Sequence, residues 1–80
     1  MYSVYILELR DGSYYTGHTN NLEKRLKQHS TGIGSKYVRS RLPLKLIYTE
    51  QLETRSLAMK REYAIKKFDR KRKEDLILSS

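Results

Sequence analysis

Between Tyr2 and Leu9 nearly every residue is β-branched, aromatic or aliphatic. The run breaks at Asp11-Gly12 and resumes through Tyr14 and Tyr15 to Thr16. Two β-rich runs separated by a turn pair read as a β-hairpin, and an N-terminal hairpin commits a short chain to a sheet. The loop length sets which side chains share a face. A two-residue Asp11-Gly12 turn pairs Leu9 with Tyr14 and puts Tyr5 and Tyr15 on opposite faces. A three-residue loop, Arg10-Asp11-Gly12 with Gly12 left-handed, pairs Leu9 with Ser13 and puts both tyrosines on one face.

Downstream, Asn20 is placed to cap a helix, with Glu23 as the return arm of a capping box. The helix runs to about Ser30, and Gly32 is its stop. Leu22, Arg25, Leu26 and His29 fall on one face at a 100° period, with Glu23, Lys24, Lys27 and Gln28 on the other. A buried Arg without a partner is costly. Either Arg25 snorkels at the edge of the stripe or pairs with an acid, or this face lines a polar cleft. Residues 31–42 hold Gly32, Gly34, Ser35 and Ser40 and read as a mobile basic loop anchored by Tyr37 and Val38, closed by Pro43. Residues 44–51 read as a third strand in which Leu44, Leu46 and Tyr48 alternate with Lys45, Ile47 and Thr49. A second helix runs from near Thr54 to about Lys67, with Leu57, Arg61, Ala64, Ile65 and Phe68 as its stripe. Asp69 caps a last helix that ends in Leu76, Ile77 and Leu78. The expectation is an α+β domain spanning residues 1–80: a three-stranded antiparallel sheet flanked by helices, in the order β-β-α-β-α-α.

Composition narrows the function classes. Eighty residues fit one domain, and the absence of cysteine excludes a disulfide scaffold, a thiolate zinc site and cysteine catalysis. No apolar run approaches the roughly 18 residues of a membrane span. Glu8 and Arg10 interrupt the N-terminal apolar run, so no signal peptide is expected and the cytoplasm is the expected compartment. Seventeen Lys and Arg against nine Asp and Glu give a net charge of +8. Such an excess on so small a chain points to a polyanion, with nucleic acid favoured over an anionic membrane surface. The charge is uneven. The first 35 residues are nearly neutral. Lys36, Arg39, Arg41 and Lys45, then nine basic residues between Arg55 and Lys73, form a basic surface.

Phosphodiester hydrolysis needs a water that is deprotonated and aligned, a cation on the phosphate, and a stabilised leaving oxygen, usually through a metal. Magnesium is satisfied by one or two protein carboxylates because it keeps several waters. Glu62 is the notable acid, at the edge of its helix stripe; its plainer role is an i, i+4 ion pair with Lys66. Arg25 carries the planar fork that matches phosphate oxygens. His29, one turn on, can handle a proton near neutral pH. Tyr5 and Tyr15 are ordinarily core aromatics, and His18, after Gly17 at a strand end, is ordinarily a loop residue.

Taken together, Ser3-Val4-Tyr5, Tyr15-Thr16-Gly17, Asn21, Arg25, His29 and Glu62 resemble the GIY-YIG nuclease superfamily over residues 2–68. Asp11-Gly12-Ser13-Tyr14-Tyr15-Thr16-Gly17 and Lys60-Arg61-Glu62-Tyr63-Ala64-Ile65-Lys66-Lys67 are typical of its short bacterial and archaeal branch. The resemblance implies that Tyr15 activates or orients the attacking water and that Tyr5 helps hold water and phosphate. Gly17 permits a close backbone approach, Arg25 neutralises the scissile phosphate, and His29 accepts or orients a proton. Glu62 alone binds the metal, Mg²⁺ or Mn²⁺. Ser3, Val4 and Thr16 depart from the motif's Gly, Ile and Ile. His18 stands where some members carry Lys, and no Asn follows Glu62 as it does in some members.

The resulting expectation is a metal-dependent endonuclease acting on DNA with little sequence preference, in repair or processing. Gly17, His18, Asn21, Lys36, Arg39, Arg41 and Lys66 are its substrate contacts, and no membrane and no small organic cofactor is implied. A basic nucleic-acid-binding module that does not cleave is the alternative. A basic interaction subunit would leave the Tyr, Arg, His and Glu set unexplained.

Overall fold

The computed structural model describes residues 1–79. Strands β1 (Tyr2–Leu9), β2 (Tyr14–Thr19) and β3 (Leu44–Leu52) form an antiparallel sheet in the order β2-β1-β3. The hydrophobic run at the N-terminus is therefore the central strand, covered on both faces: Val4, Tyr5, Ile6 and Leu7 are all buried. That explains why it is apolar at successive positions rather than at alternate ones.

The hairpin takes the three-residue loop. The Leu9 N–H donates to the Ser13 carbonyl and the Gly12 N–H to the Leu9 carbonyl, both at 2.9 Å. Gly12 sits at φ +82°, a conformation open to glycine without steric cost. Tyr5 then pairs with Gly17 and Leu7 with Tyr15, so Tyr5, Leu7 and Tyr15 project from one face.

Helix α1 (Leu22–Ser30) and the single turn α2 (Lys36–Arg39) cover that face, where Tyr5, Leu7, Leu9 and Val38 form a core with Leu22 and Leu26 packed against it. Helices α3 (Arg55–Lys66) and α4 (Arg70–Leu78) cover the other face, around Val4, Ile6, Tyr48, Ala58 and Ile65. Each fully buried aliphatic side chain contributes about 1.5–3 kcal/mol. No helix of the described residues is long and apolar enough to cross a membrane.

The α+β architecture follows the expectation, with local corrections. The segment read wholly as a loop contains α2, because Ser35 caps it by accepting from the Val38 N–H and Val38 is fully buried. The cap of α1 is Asn21, not Asn20: its side chain accepts from the Lys24 N–H at 3.1 Å. Glu23 then lies in the first turn, one place short of a capping-box arm. In β3 the strict alternation fails at a bulge. Ile6 faces Tyr48 but Leu7 faces Leu46, so Ile47 is the extra residue. Beyond the bulge Tyr48 joins the Val4 face, while Leu44 packs on the Leu7 face. The α3 stripe is displaced too: Ala58 and Ile65 are its buried residues and Leu57 is exposed. On α4 Leu76 and Ile77 pack on the core, but Leu78 is exposed.

Candidate active site

Central to the site is His29. Its ring is completely buried at the end of α1, where the Leu22–Arg25–Leu26–His29 face meets the sheet. Nε2 lies 2.9 Å from the Tyr5 hydroxyl. The rings of Tyr5 and Tyr15 both meet it edge-on, with centroids 5.9 and 5.4 Å away. Tyr37 of α2 stacks on Tyr15 from outside.

Two glycines make this packing possible. A Cβ on Gly17 would stand 2.5 Å from the Tyr5 hydroxyl oxygen, and one on Gly34 would stand 2.6 Å from His29 Nδ1. Neither contact is compatible with a real side chain. The close approach expected at Gly17 is thus made by the Tyr5 phenol. The Gly34 contact had no local signal: a glycine in a Gly/Ser stretch reads as a loop residue, and its partner is brought in by the turn after α1.

Burial drives His29 below the ordinary imidazole range, and the nearby Arg25 guanidinium adds to the effect. The ring is therefore neutral at pH 7. Nδ1 has no hydrogen-bond partner among the described residues. If Nε2 were a bare acceptor, Nδ1 would carry an orphaned buried N–H; if Nε2 donates, Nδ1 is an orphaned lone pair. The second is the less costly arrangement. Tyr5 then accepts from His29, and its own O–H is left free to donate. Burial also raises Tyr5 above the usual phenol range, with Arg25 opposing the shift and the charges of Tyr15 and Glu62 reinforcing it. Tyr5 is thus a neutral hydroxyl, with Arg25 and Glu62 both within electrostatic reach.

Glu62 arrives from the other side. His18 pairs with Val4 in the hairpin, so it shares the face that α3 covers, and its Nδ1 lies 2.6 Å from Glu62 Oε1. The second carboxylate oxygen, Oε2, is 2.7 Å from Lys66 Nζ, so the ion pair with Lys66 read from the spacing is formed as well. Burial alone would raise Glu62, but the hydrogen bonds from Lys66 and His18 outweigh it and hold the carboxyl below the usual range. It is ionised at neutral pH.

Four of the five expected groups, Tyr5, Tyr15, Arg25 and His29, thus gather on the α1 face. Glu62 faces them across edge strand β2, with His18 between. An open cleft of about 370 Å³ lies beside Arg25 and His18, lined also by Asn21, Lys24, Gln28 and Arg55 among others; Tyr5, Tyr15, His29 and Glu62 are not among its lining residues. Arg25 also lies 3.3 Å from the Gln28 side-chain oxygen. Lys24, Gln28 and Arg55 were not singled out from the sequence; Lys24 and Gln28 lie one turn apart on α1, and only the fold brings Arg55 of α3 to them.

The other expected contacts are dispersed. Lys36 and Arg39 are exposed on α2. Arg41 is engaged: it bonds Asp11 at 3.0 Å, donates to the Tyr37 carbonyl and lies 3.8 Å over the Tyr37 ring. It ties the hairpin loop to α2 and holds the platform behind Tyr15. Among the described residues no group of three or more His, Asp or Glu side chains is arranged to hold a metal.

The chain resembles known proteins over nearly its whole length. The family model of the GIY-YIG catalytic domain matches residues 1–75. A UPF0213 protein of Bacillus licheniformis is 56% identical over 73 residues, covering 91% of this chain and 75% of its own. A UPF0213 protein of Halobacterium salinarum is 46% identical over 76 residues, covering 95% of this chain and 99% of its own. Two solution NMR structures share the fold. A UPF0213 protein from Bacillus halodurans has a TM-score of 0.66 and 42% identity, covering 100% of this chain and 86% of that one. A protein from E. faecalis has a TM-score of 0.67 and 44% identity, covering 98% and 83%.

Proposed function

The chain belongs to the GIY-YIG family of nuclease domains, and from that premise we propose that it is a divalent-metal-dependent endonuclease acting on DNA. The observation that carries the reading is the buried Tyr5–His29 hydrogen bond at 2.9 Å, set beside Tyr15 and within reach of Arg25. A core has no need of a neutral histidine with an orphaned nitrogen, two tyrosines and a guanidinium; a phosphodiester in the act of hydrolysis does.

Arg25 binds the scissile phosphate, and its charge offsets the negative charge that builds on the oxygens. Tyr15, half-buried beside His29, orients the attacking water. Tyr5 donates its free O–H toward the same region, fixed in direction by His29. The Tyr15 and Tyr5 hydroxyls orient the water, whose proton passes to solvent; neutral His29, whose Nε2 already donates to Tyr5, holds that phenol in place. Asn21 caps α1, so it fixes the end of the helix that carries Arg25.

The donor set near Glu62 fits Mg²⁺ or Mn²⁺. It offers one ionised carboxylate, partly exposed and next to an open cleft, which is what a cation that retains most of its waters requires. Lys66 is half exposed and can swing off Oε2 at small cost. A metal held by Glu62 would supply charge neutralisation at the leaving oxygen. His18 keeps the carboxylate directed at the cleft.

The alternative, a binding module that does not cleave, has one observation in its favour: both Glu62 oxygens are already engaged, by His18 and Lys66. A cleavage panel on plasmid, single-stranded, flap and four-way-junction DNA with Mg²⁺ and Mn²⁺ decides between them, with Glu62→Gln as control. The nuclease reading requires cleavage by the wild type that Glu62→Gln abolishes. Absence of cleavage across the whole panel establishes the binding module.

A further inference from the structure

Met59, Glu62, Tyr63 and Lys66 lie at i, i+3, i+4 and i+7 on α3 and form one exposed face. With His18 and Lys60 they line an open depression of about 420 Å³. Glu62 and Lys66 belong to the site already described, but Met59 and Tyr63 do not. Tyr63 is 63% exposed and Met59 49%. Neither supports the core, and exposed apolar side chains grouped in a depression mark a binding surface.

The surroundings specify the occupant. Lys60 and Lys66 rim the depression, and the Lys67 ammonium sits 4.4 Å over one face of the Tyr63 ring. The Glu62 charge is matched by Lys66 at 2.7 Å. His18 is common to this depression and to the polar cleft, where Lys24, Arg25 and Arg55 supply positive charge. A cationic track that opens beside an aromatic and a thioether suits a ligand that is anionic along its backbone and flat and apolar along its edge. An unstacked nucleotide has that combination, and base stacking on an aromatic ring with phosphates on cations is how single strands are held. A base paired inside a duplex cannot present its face to Tyr63.

We infer that Tyr63 and Met59 form a stacking subsite for an unpaired nucleobase next to the scissile phosphate, with the phosphates of the same strand running through the cleft past Arg25 and Arg55. This rests on the nuclease reading and gives it a substrate class: DNA that is single-stranded or locally unpaired at the cut.

The test is binding, in EDTA, so that it is independent of cleavage. Fluorescence anisotropy is read with a labelled dodecamer of deoxythymidylate and with a blunt duplex of the same length. Tyr63→Ala should weaken single-strand binding about ten-fold, the effect of losing one stacked base. Duplex binding should change by less than about two-fold. Tyr63→Phe, which keeps the ring, should bind both like the wild type. Arg55→Ala should weaken single-strand binding and lower the salt slope by about one. Thermal melts verify that the variants are folded, which the exposure of Tyr63 makes straightforward. Equal weakening on single strand and duplex, or none on either, overturns the subsite. The nuclease reading stands or falls separately on the metal-dependent cleavage panel: cleavage with an inert Tyr63 removes only the subsite, and stacking without cleavage removes only the catalysis.

Discussion

Gly17 lies directly beneath the Tyr5 phenol, so close that a Cβ there would stand 2.5 Å from the hydroxyl oxygen and 2.7 Å from Cζ. Gly17 is paired with Tyr5 across the hairpin and is itself buried. The ring is held from behind by His29, so it has nowhere to retreat. Gly17→Ala should therefore cost about 1–3 kcal/mol of stability, the usual size of overpacking in a closed site. Urea unfolding measures this. Any cleavage should fall by far more than the folded fraction falls, because the Tyr5 hydroxyl is displaced. A stable Gly17→Ala protein with full activity would contradict the geometry.

His29 makes stability depend on pH in a defined direction. Burial and Arg25 hold its folded-state pKa below the ordinary value of about 6.5, so the unfolded chain takes up the proton first. The unfolded state binds more protons in that window, and stability falls as pH drops below about 6.5. The loss ends below the depressed pKa. The charged or titratable groups facing the ring are Arg25, Tyr5 and Tyr15. Glu62 and Asp11, both held low, lose their contribution only as pH falls through the ordinary carboxylate range and below it. Thermal melts at pH 7.5, 6.5 and 5.5 should show a falling Tm for the wild type. His29→Gln should be less stable at pH 7.5 but should lose most of that slope. The same slope in both proteins would rule out His29 as its source.

Glu62→Gln separates charge from shape. The variant keeps the side-chain volume and one acceptor for His18, but it cannot hold the Lys66 charge. Since Lys66 is half exposed, the stability change should be about 1 kcal/mol or less. Cleavage should be lost, while DNA binding persists or tightens because one negative charge has left a basic surface. Filter binding alongside the cleavage assay checks both halves.

Tyr15→Phe removes a hydroxyl from a half-buried ring that still has His29 and Tyr37 to pack against. It should fold and bind DNA like the wild type and cleave about a hundred-fold more slowly, the lower end of what a general acid–base or orienting group supplies. Tyr5→Phe should lose activity too, but it should also lose stability, since His29 Nε2 is left without a partner in a buried site. Comparing the two unfolding curves distinguishes the orienting hydroxyl from the supporting one.

Affinity for DNA should fall steeply with salt as counterions are released. Arg39→Ala should lower affinity alike for all sequences. Arg41→Ala should behave differently, because its guanidinium is bound to Asp11 and stacked on Tyr37. Its larger effect should be on the packing behind Tyr15, read as a loss of cleavage greater than the loss of binding.

What the sequence determined by itself was set by local rules. The apolar run Tyr2–Leu9 and its turn dictated a hairpin, and the 100° stripe placed Arg25 and His29 on one face of one helix, while the candidate set Tyr5, Tyr15, Arg25, His29 and Glu62 came from the family resemblance. The hairpin and the helix stripe depend on neighbours within a few residues, so periodicity and spacing carry them. Tertiary structure decided the rest. The sequence left both hairpin loop lengths open, and the fold took the one that buries Tyr5 and Leu7 together with Tyr15 against α1. The bulge at Ile47 shifted β3 by one residue so that Tyr48 could fill the Val4 face, and no alternation rule shows that in advance. Phase on α3 was set by Ala58, whose small side chain lets the helix sit close to the sheet, rather than by the larger Leu57. The contacts of Gly34 with His29, of His18 with Glu62 and of Arg41 with Asp11 and Tyr37 join residues on different elements. Such contacts follow from the three-dimensional route of the chain and leave no mark at short range, because the energy that selects them is the burial of the whole core.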